Sequence, residues 1–207
     1  MNIAALASHE GTTLQAVLDA CAAGRIAARV ALVISNNPDS GALRRARAAG
    51  VEALHLSGAT HPDPRALDEA IRAALAQREI DLVLLAGYMK KLGPLTREAH
   101  AGRILNIHPA LLPRFGGQGM YGVHVHRAVL AAGERASGAS IHLVDAGYDT
   151  GPVLAQVTVP IEAGDTETTL AGRVQQAERV LLVEVLADIA SGKRPLAPPG
   201  RPRRDPG

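Results

Sequence analysis

From the first residue to about residue 110, short apolar runs alternate with amphipathic stretches. This is the pattern of parallel strands joined by crossover helices. It predicts strands at Ile3 to Ala7, Val30 to Ser35, Glu52 to Leu56, Leu82 to Leu85 and Ile104 to Ile107. Between them, Leu14 to Ala23 stops at Gly24, Ala42 to Ala49 stops at Gly50, and Asp63 to Arg78 follows a proline, so each reads as a punctuated helix. After Pro109 the pattern changes to a glycine-rich stretch (Phe115 to Gly122), a short helix near His126 to Ala132, and two strands, Ser140 to Val144 and Val153 to Val159. A longer helix, about Thr166 to Ile189, closes the chain. Because the two late strands read as a hairpin joined through Asp145 to Gly151, the expected sheet is mostly parallel with antiparallel members in its C-terminal half. The chain shows no internal repeat.

The length of 207 residues suits one domain. Of its residues, 47% are hydrophobic but only four are aromatic: Tyr88, Phe115, Tyr121 and Tyr148. Packing therefore rests on aliphatic side chains, and readout of nucleic acid by base stacking is disfavoured. The formal net charge of +2 is unevenly spread: Lys193 to Gly207 holds five basic residues and one acid, leaving 17 basic and 19 acidic residues in the body. A basic, flexible Pro/Gly/Arg-rich tail on a near-neutral body argues against a nucleic-acid channel. The single Cys21 cannot form an internal disulfide, and no run approaches the ~20 apolar residues that span a bilayer. With no signal-like start, a cytoplasmic protein is expected.

Three segments carry candidate chemistry. Ser8-His9-Glu10-Gly11-Thr12-Thr13 lies where a strand turns into a helix, a seat for an anion, although Thr12 or Thr13 as an ordinary N-cap explains it equally well. It lacks the spacing of a dinucleotide or Walker loop, so a single phosphate suits it better. Asn106-Ile107-His108-Pro109 ends the fifth strand, and alternation puts Asn106 and His108 on one side with Ile107 on the other. Ligands of open α/β sheets bind at that strand end. Gly138 to Pro152 is a strand running into a glycine-flanked loop that presents Asp149; its glycines would let backbone approach a flat ligand, or the loop is simply a tight turn. The His124-x-His126 pair invites a metal but lacks a third ligand of matching spacing. Met89, Lys90 and Lys91 read as a strand exit unless a ligand lies above them.

The order of SHEGTTLQA, LLAGYMKKL, NIHPALLP, GASIHLVDAGYDTGPVLAQ and RVQQAE resembles the folate-dependent phosphoribosylglycinamide formyltransferase family from Met1 to about Ile189. NIHPALLP and the segment ending DTGP are shared among enzymes that use 10-formyltetrahydrofolate, so the acceptor assignment leans on the Gly11 loop. It also leans on length, which leaves no room for the extra domains of methionyl-tRNA formyltransferase or the deformylases. The chain departs from the family in having His9 for a common glycine, Thr12-Thr13 for Ser-Asn, and a longer Gly116 to Val123 stretch.

The resemblance implies an α/β Rossmann-like formyltransferase fold with helices on both faces, a single domain over residues 1–192. Its phosphate-binding half would be 1–108, its folate and catalytic-loop half 109–192, and 193–207 the tail. It implies Asn106, His108 and Asp149 as the catalytic set, Asn106 and a protonated His108 stabilising the oxyanion, with Asp149 raising the pKa of His108 and the pair managing the proton. Gly11, Thr12, Thr13, Gln175 and Glu178 would hold glycinamide ribonucleotide. Arg65, Met89, Lys90, Lys91, Leu92, Asn106, Val144 and Asp145 would hold the folate. No tightly bound cofactor or metal is expected, formyl-folate being a co-substrate, and the partners are small molecules rather than nucleic acid or membrane, on a monomer or weak homodimer. A transferase acting on another amine, such as a nucleotide sugar, and a non-catalytic module binding a phosphorylated metabolite remain alternatives.

Overall fold

The computed structural model describes residues 1–196. Its elements are β1 (Asn2–Leu6), α1 (Thr12–Ala22), β2 (Arg29–Ser35), α2 (Gly41–Ala48), β3 (Glu52–His55), α3 (Pro64–Ala76), β4 (Leu82–Leu85), α4 (Pro94–Ala99), β5 (Ile104–His108), α5 (Val123–Ala131), β6 (Ala136–Leu143), β7 (Val153–Pro160) and α6 (Glu167–Ala190). The strands form one sheet in the order β3-β2-β1-β4-β5-β6-β7. The first five are parallel, whereas β6 runs antiparallel to β5 and β7 antiparallel to β6. The mixed sheet expected from the pattern is therefore present, with the β6–β7 hairpin supplying its antiparallel half.

Both faces of the sheet are covered, which is why its central strands read as unbroken apolar runs. Along β1 and just past it, Ile3, Ala5 and Ala7 join the core under α1, α2 and the C-terminal half of α6, while Ala4 and Leu6 join the opposite core under α3. A third cluster joins Val125 and Val129 of α5 to Leu170 and Val174 of α6. At 24 residues, or about 36 Å, α6 is long enough to serve two clusters.

Several boundaries differ from the expected ones for local reasons. Helix α1 starts at Thr12, two residues early, behind a left-handed Gly11 (φ 69°). A Cβ at Gly11 would lie 2.8 Å from Ala42 Cα, so both conformation and space require glycine there. In α3 the signal is Asp63-Pro64: the Asp63 carboxylate accepts from the Arg65 and Ala66 N–H groups, and Pro64 needs no partner. α5 and β6 begin three and four residues earlier than their apolar patterns suggest. The six-residue α4 was not expected, being too short to show a period; its N-terminal N–H groups at Leu95 and Thr96 are satisfied by buried Asp68 of α3.

Of the expected basic tail, Lys193 to Leu196 are described. Arg194 donates to the Leu154 carbonyl, and Leu196 packs against the first core. Residues 197–207 of that tail lie outside the described residues. No helix among the described residues is long and apolar enough to cross a membrane.

Because α6 closes the first core, truncating it there should be costly. Leu182→Ala removes a fully buried side chain and should lower stability by about 2–5 kcal/mol in urea denaturation. Val180→Ala, at a position 58% exposed on the same helix, should change it by about 0.5 kcal/mol or less.

Candidate active site

A cleft of about 1330 Å³ opens at the carboxyl ends of the parallel strands, the position at which open α/β sheets bind ligands. Asn106 and His108 enter it from the end of β5 with Ile107 turned into the core, as alternation requires. Across the antiparallel ladder Asn106 pairs with His142 and His108 with Ser140, so β6 adds two polar groups to the same face. Ser140 is structural: its hydroxyl donates to the Ala110 carbonyl and accepts from the Leu112 N–H, holding the loop after His108.

Asp149 reaches this face from the β6–β7 connection, in a left-handed conformation (φ 56°). Its carboxylate accepts from the Gly117 N–H at 3.0 Å, lies 3.4 Å from Asn106 Nδ2, and sits 3.5 Å from His108 Nδ1 and 3.4 Å from His142 Nε2. The tautomers follow from carbonyl partners, which can only accept. His108 donates from Nε2 to the Phe115 carbonyl at 2.7 Å, leaving Nδ1 toward Asp149. His142 donates from Nδ1 to the Leu143 carbonyl at 2.9 Å, leaving Nε2 to accept from Asn106 Nδ2 at 3.0 Å.

The electrostatics correct one expectation. Burial pushes the His108 imidazole below its ordinary value, and the nearby Asp149 carboxylate opposes this without overcoming it. Asp149 thus acts in the expected direction, but His108 is neutral at pH 7 in the free protein rather than protonated as the resemblance implied. For Asp149, burial works upward, but its hydrogen-bonded surroundings, the Gly117 N–H included, hold the carboxyl below the usual range, so it is ionised. On α6, Glu178 is 7% exposed and burial pushes its carboxyl up to about 7.

The glycines of the Asp149 loop also act differently from the expectation. A Cβ at Gly147 would collide with Thr150, and one at Gly151 with the Leu143 carbonyl. Their smallness serves the loop's own packing, leaving Asp145 free to accept from the Gly147 N–H and the Thr150 hydroxyl.

The other expected residues divide cleanly. Gly11, Thr12, Thr13, Gln175 and Glu178 line the cleft, and so do Met89, Lys90, Lys91, Leu92, Val144 and Asp145. Gly11 is the N-cap of α1, which has no side-chain cap, so neither threonine plays that part. Arg65 is not brought to the cleft; it lies in the first turn of α3, 81% exposed and paired with Glu69.

His142 was missed by sequence reasoning. Its signal was present in the alternation of Ser140 and His142, but required knowing that β6 pairs with β5 in this register. Ser8 was quoted only as part of the anion loop; its hydroxyl accepts from the Met89 N–H at 2.8 Å and donates to Asn36, so it ties that loop to the Met89 segment. His124 and His126 diverge on α5, the first exposed and the second 2% exposed. Among the described residues no group of three or more His, Cys, Asp or Glu side chains could hold a metal.

Comparison with known proteins agrees with this geometry. Residues 1–186 match the family model described as formyl transferase. The chain is 38% identical over 193 residues to phosphoribosylglycinamide formyltransferase of Escherichia coli, covering 93% of this chain and 89% of that protein. It is 45% identical over 186 residues to the Mycobacterium tuberculosis protein of the same name, with 90% and 83% covered. Glycinamide ribonucleotide transformylase 1 from Symbiobacterium toebii superposes with a TM-score of 0.88 at 41% identity, over 96% of this chain and 92% of that one. A cleft that gathers an asparagine, two histidines and an ionised aspartate at the strand ends of this fold, and relatives of such coverage, lead to one assignment: the chain belongs to the formyl transferase family, among the phosphoribosylglycinamide formyltransferases.

Proposed function

We propose that the protein transfers the formyl group of 10-formyltetrahydrofolate to the primary amine of glycinamide ribonucleotide, in purine biosynthesis in the cytoplasm. The observation that carries this reading is the convergence of Asn106, His108 and Asp149 in a cleft that the uncapped N-terminus of α1 and the Met89 and Val144 segments also line. The helix N-terminus suits a phosphate, drawn by free N–H groups and the helix dipole. The Met89 and Val144 segments offer backbone groups and apolar walls to a flat pterin. Formyl-folate enters and leaves as a co-substrate.

The amine attacks the formyl carbon, its carbonyl becomes an oxyanion, and the C–N bond to the folate nitrogen then breaks. Asn106 Nδ2 supplies a neutral donor: its long contact to Asp149 yields to the oxyanion, while His142 keeps the amide oriented. A donor of this kind is worth about 3–4 kcal/mol where it has been tested in other enzymes. Neutral His108 receives the proton that the attacking amine loses, Asp149 stabilises the imidazolium, and the proton passes to the departing nitrogen. No protein nucleophile is needed, since the amine is itself the nucleophile.

Two experiments test this reading. Absorbance-monitored conversion of 10-formyltetrahydrofolate to tetrahydrofolate should require glycinamide ribonucleotide and be lost in His108→Ala; turnover without acceptor would indicate hydrolysis, and turnover only with other amines a different acceptor. In Asp149→Asn, kcat should fall about 100-fold or more with both KM values little changed. The His108 imidazole should then titrate at still lower pH by NMR, because the carboxylate that opposes burial has been neutralised. An unchanged kcat would remove Asp149 from the mechanism.

A further inference from the structure

The two segments that wall the donor end of the cleft leave strands that are not neighbours. Met89 to Leu92 follows β4 and Val144 to Asp149 follows β6, with β5 between them in the sheet. No ladder hydrogen bond can therefore fix their separation at the cleft. A side chain of α4 spans it. Arg97 of α4 donates from Nε to the Leu92 carbonyl at 3.1 Å and from Nη1 to the Asp145 carbonyl at 3.4 Å, and it lines the cleft.

We propose that Arg97 is a positioning residue that sets the width of the donor slot by bridging these two loops, an inference that rests on the formyl-transfer reading above. A guanidinium suits the task because its planar fork presents several N–H donors in a fixed geometry, which a lysine ammonium does not. Its base is fixed as well. Asp68 of α3, 4% exposed, accepts from the Leu95 N–H at 2.8 Å, the Thr96 N–H at 3.0 Å and the Thr96 hydroxyl at 2.6 Å, so the residue preceding Arg97 is held on the body of the protein. The cation–π contact of Lys91 with Tyr148, at 4.8 Å, joins the same loops but lies between exposed side chains. Asp149, by contrast, is anchored on β5, β6 and Gly117. Slot width and catalytic geometry are thus held by separate contacts.

This separation predicts a divided kinetic effect. Arg97→Met should raise the KM for 10-formyltetrahydrofolate about tenfold, the scale of a lost charge-assisted hydrogen bond, while kcat and the acceptor KM change by less than about twofold. Arg97→Lys, which keeps the charge but cannot span both carbonyls, should show most of the same rise. A formyl donor lacking the glutamate tail should lose the same factor in Arg97→Met, since the bridge acts on the slot rather than on the tail.

A donor KM unchanged in Arg97→Met, full rescue by lysine, or a loss confined to the glutamylated donor would each overturn the bridge. So would kcat and both KM values worsening together, which marks a damaged fold. Wild-type turnover measured in the same series separates the two readings: if it is normal, these outcomes count against the bridge alone, whereas its absence removes the formyl-transfer reading and the bridge with it.

Discussion

A carboxylate ionised between two buried imidazoles is the constraint around which the site is arranged. Asp149 remains charged in this half-buried position because the Gly117 N–H donates to it and the Asn106 amide lies beside it, with His108 and His142 in contact on either side. Each partner must arrive from a different element: Asn106 and His108 from β5, His142 from β6, Gly117 from the glycine-rich stretch. The antiparallel turn of β6 against β5 places His142 opposite Asn106, and the left-handed backbone at Asp149 aims its side chain inward. The mixed topology of the sheet is thus tied directly to the chemistry at its centre.

The same arrangement explains why His108 rests in its neutral form. Its side chain is 4% exposed, and loss of hydration weighs against the imidazolium more than one carboxylate at 3.5 Å weighs for it. Charge on the ring is then favoured when reacting groups bring it there. An imidazole that starts neutral can accept a proton before returning it, which a permanent imidazolium could not do.

Much of this was legible in the sequence. The parallel strands, their connecting helices and the hairpin followed from apolar periodicity, and alternation alone set Asn106 and His108 on one face. The elements that escaped were those whose signal is tertiary. The six residues of α4 have no period to read, and the helix is capped by Asp68 from 27 residues before Leu95. His142 becomes meaningful only through its register with β5. The direction of the His108 shift depended on how deeply the strand end is buried, which no local pattern records. In the sequence the glycines Gly147 and Gly151 read as room for a ligand, whereas the space they leave is taken by Thr150 and the Leu143 carbonyl, contacts that the linear sequence does not display.

The long final helix bears on how the chain is made. Leu14 and Leu43, near the start, share a core with Leu182 and Leu186 near the end, and α1 packs directly on α6. During synthesis the second core, whose buried residues all lie between Ala4 and Ile104, can be assembled from the first half of the chain, but the face of α1 that meets α6 waits until about 150 more residues have left the ribosome. At about 5–20 residues per second that interval lasts on the order of ten seconds. The apolar surface left open on α1 in the meantime is where the nascent chain is exposed to aggregation or to chaperone capture.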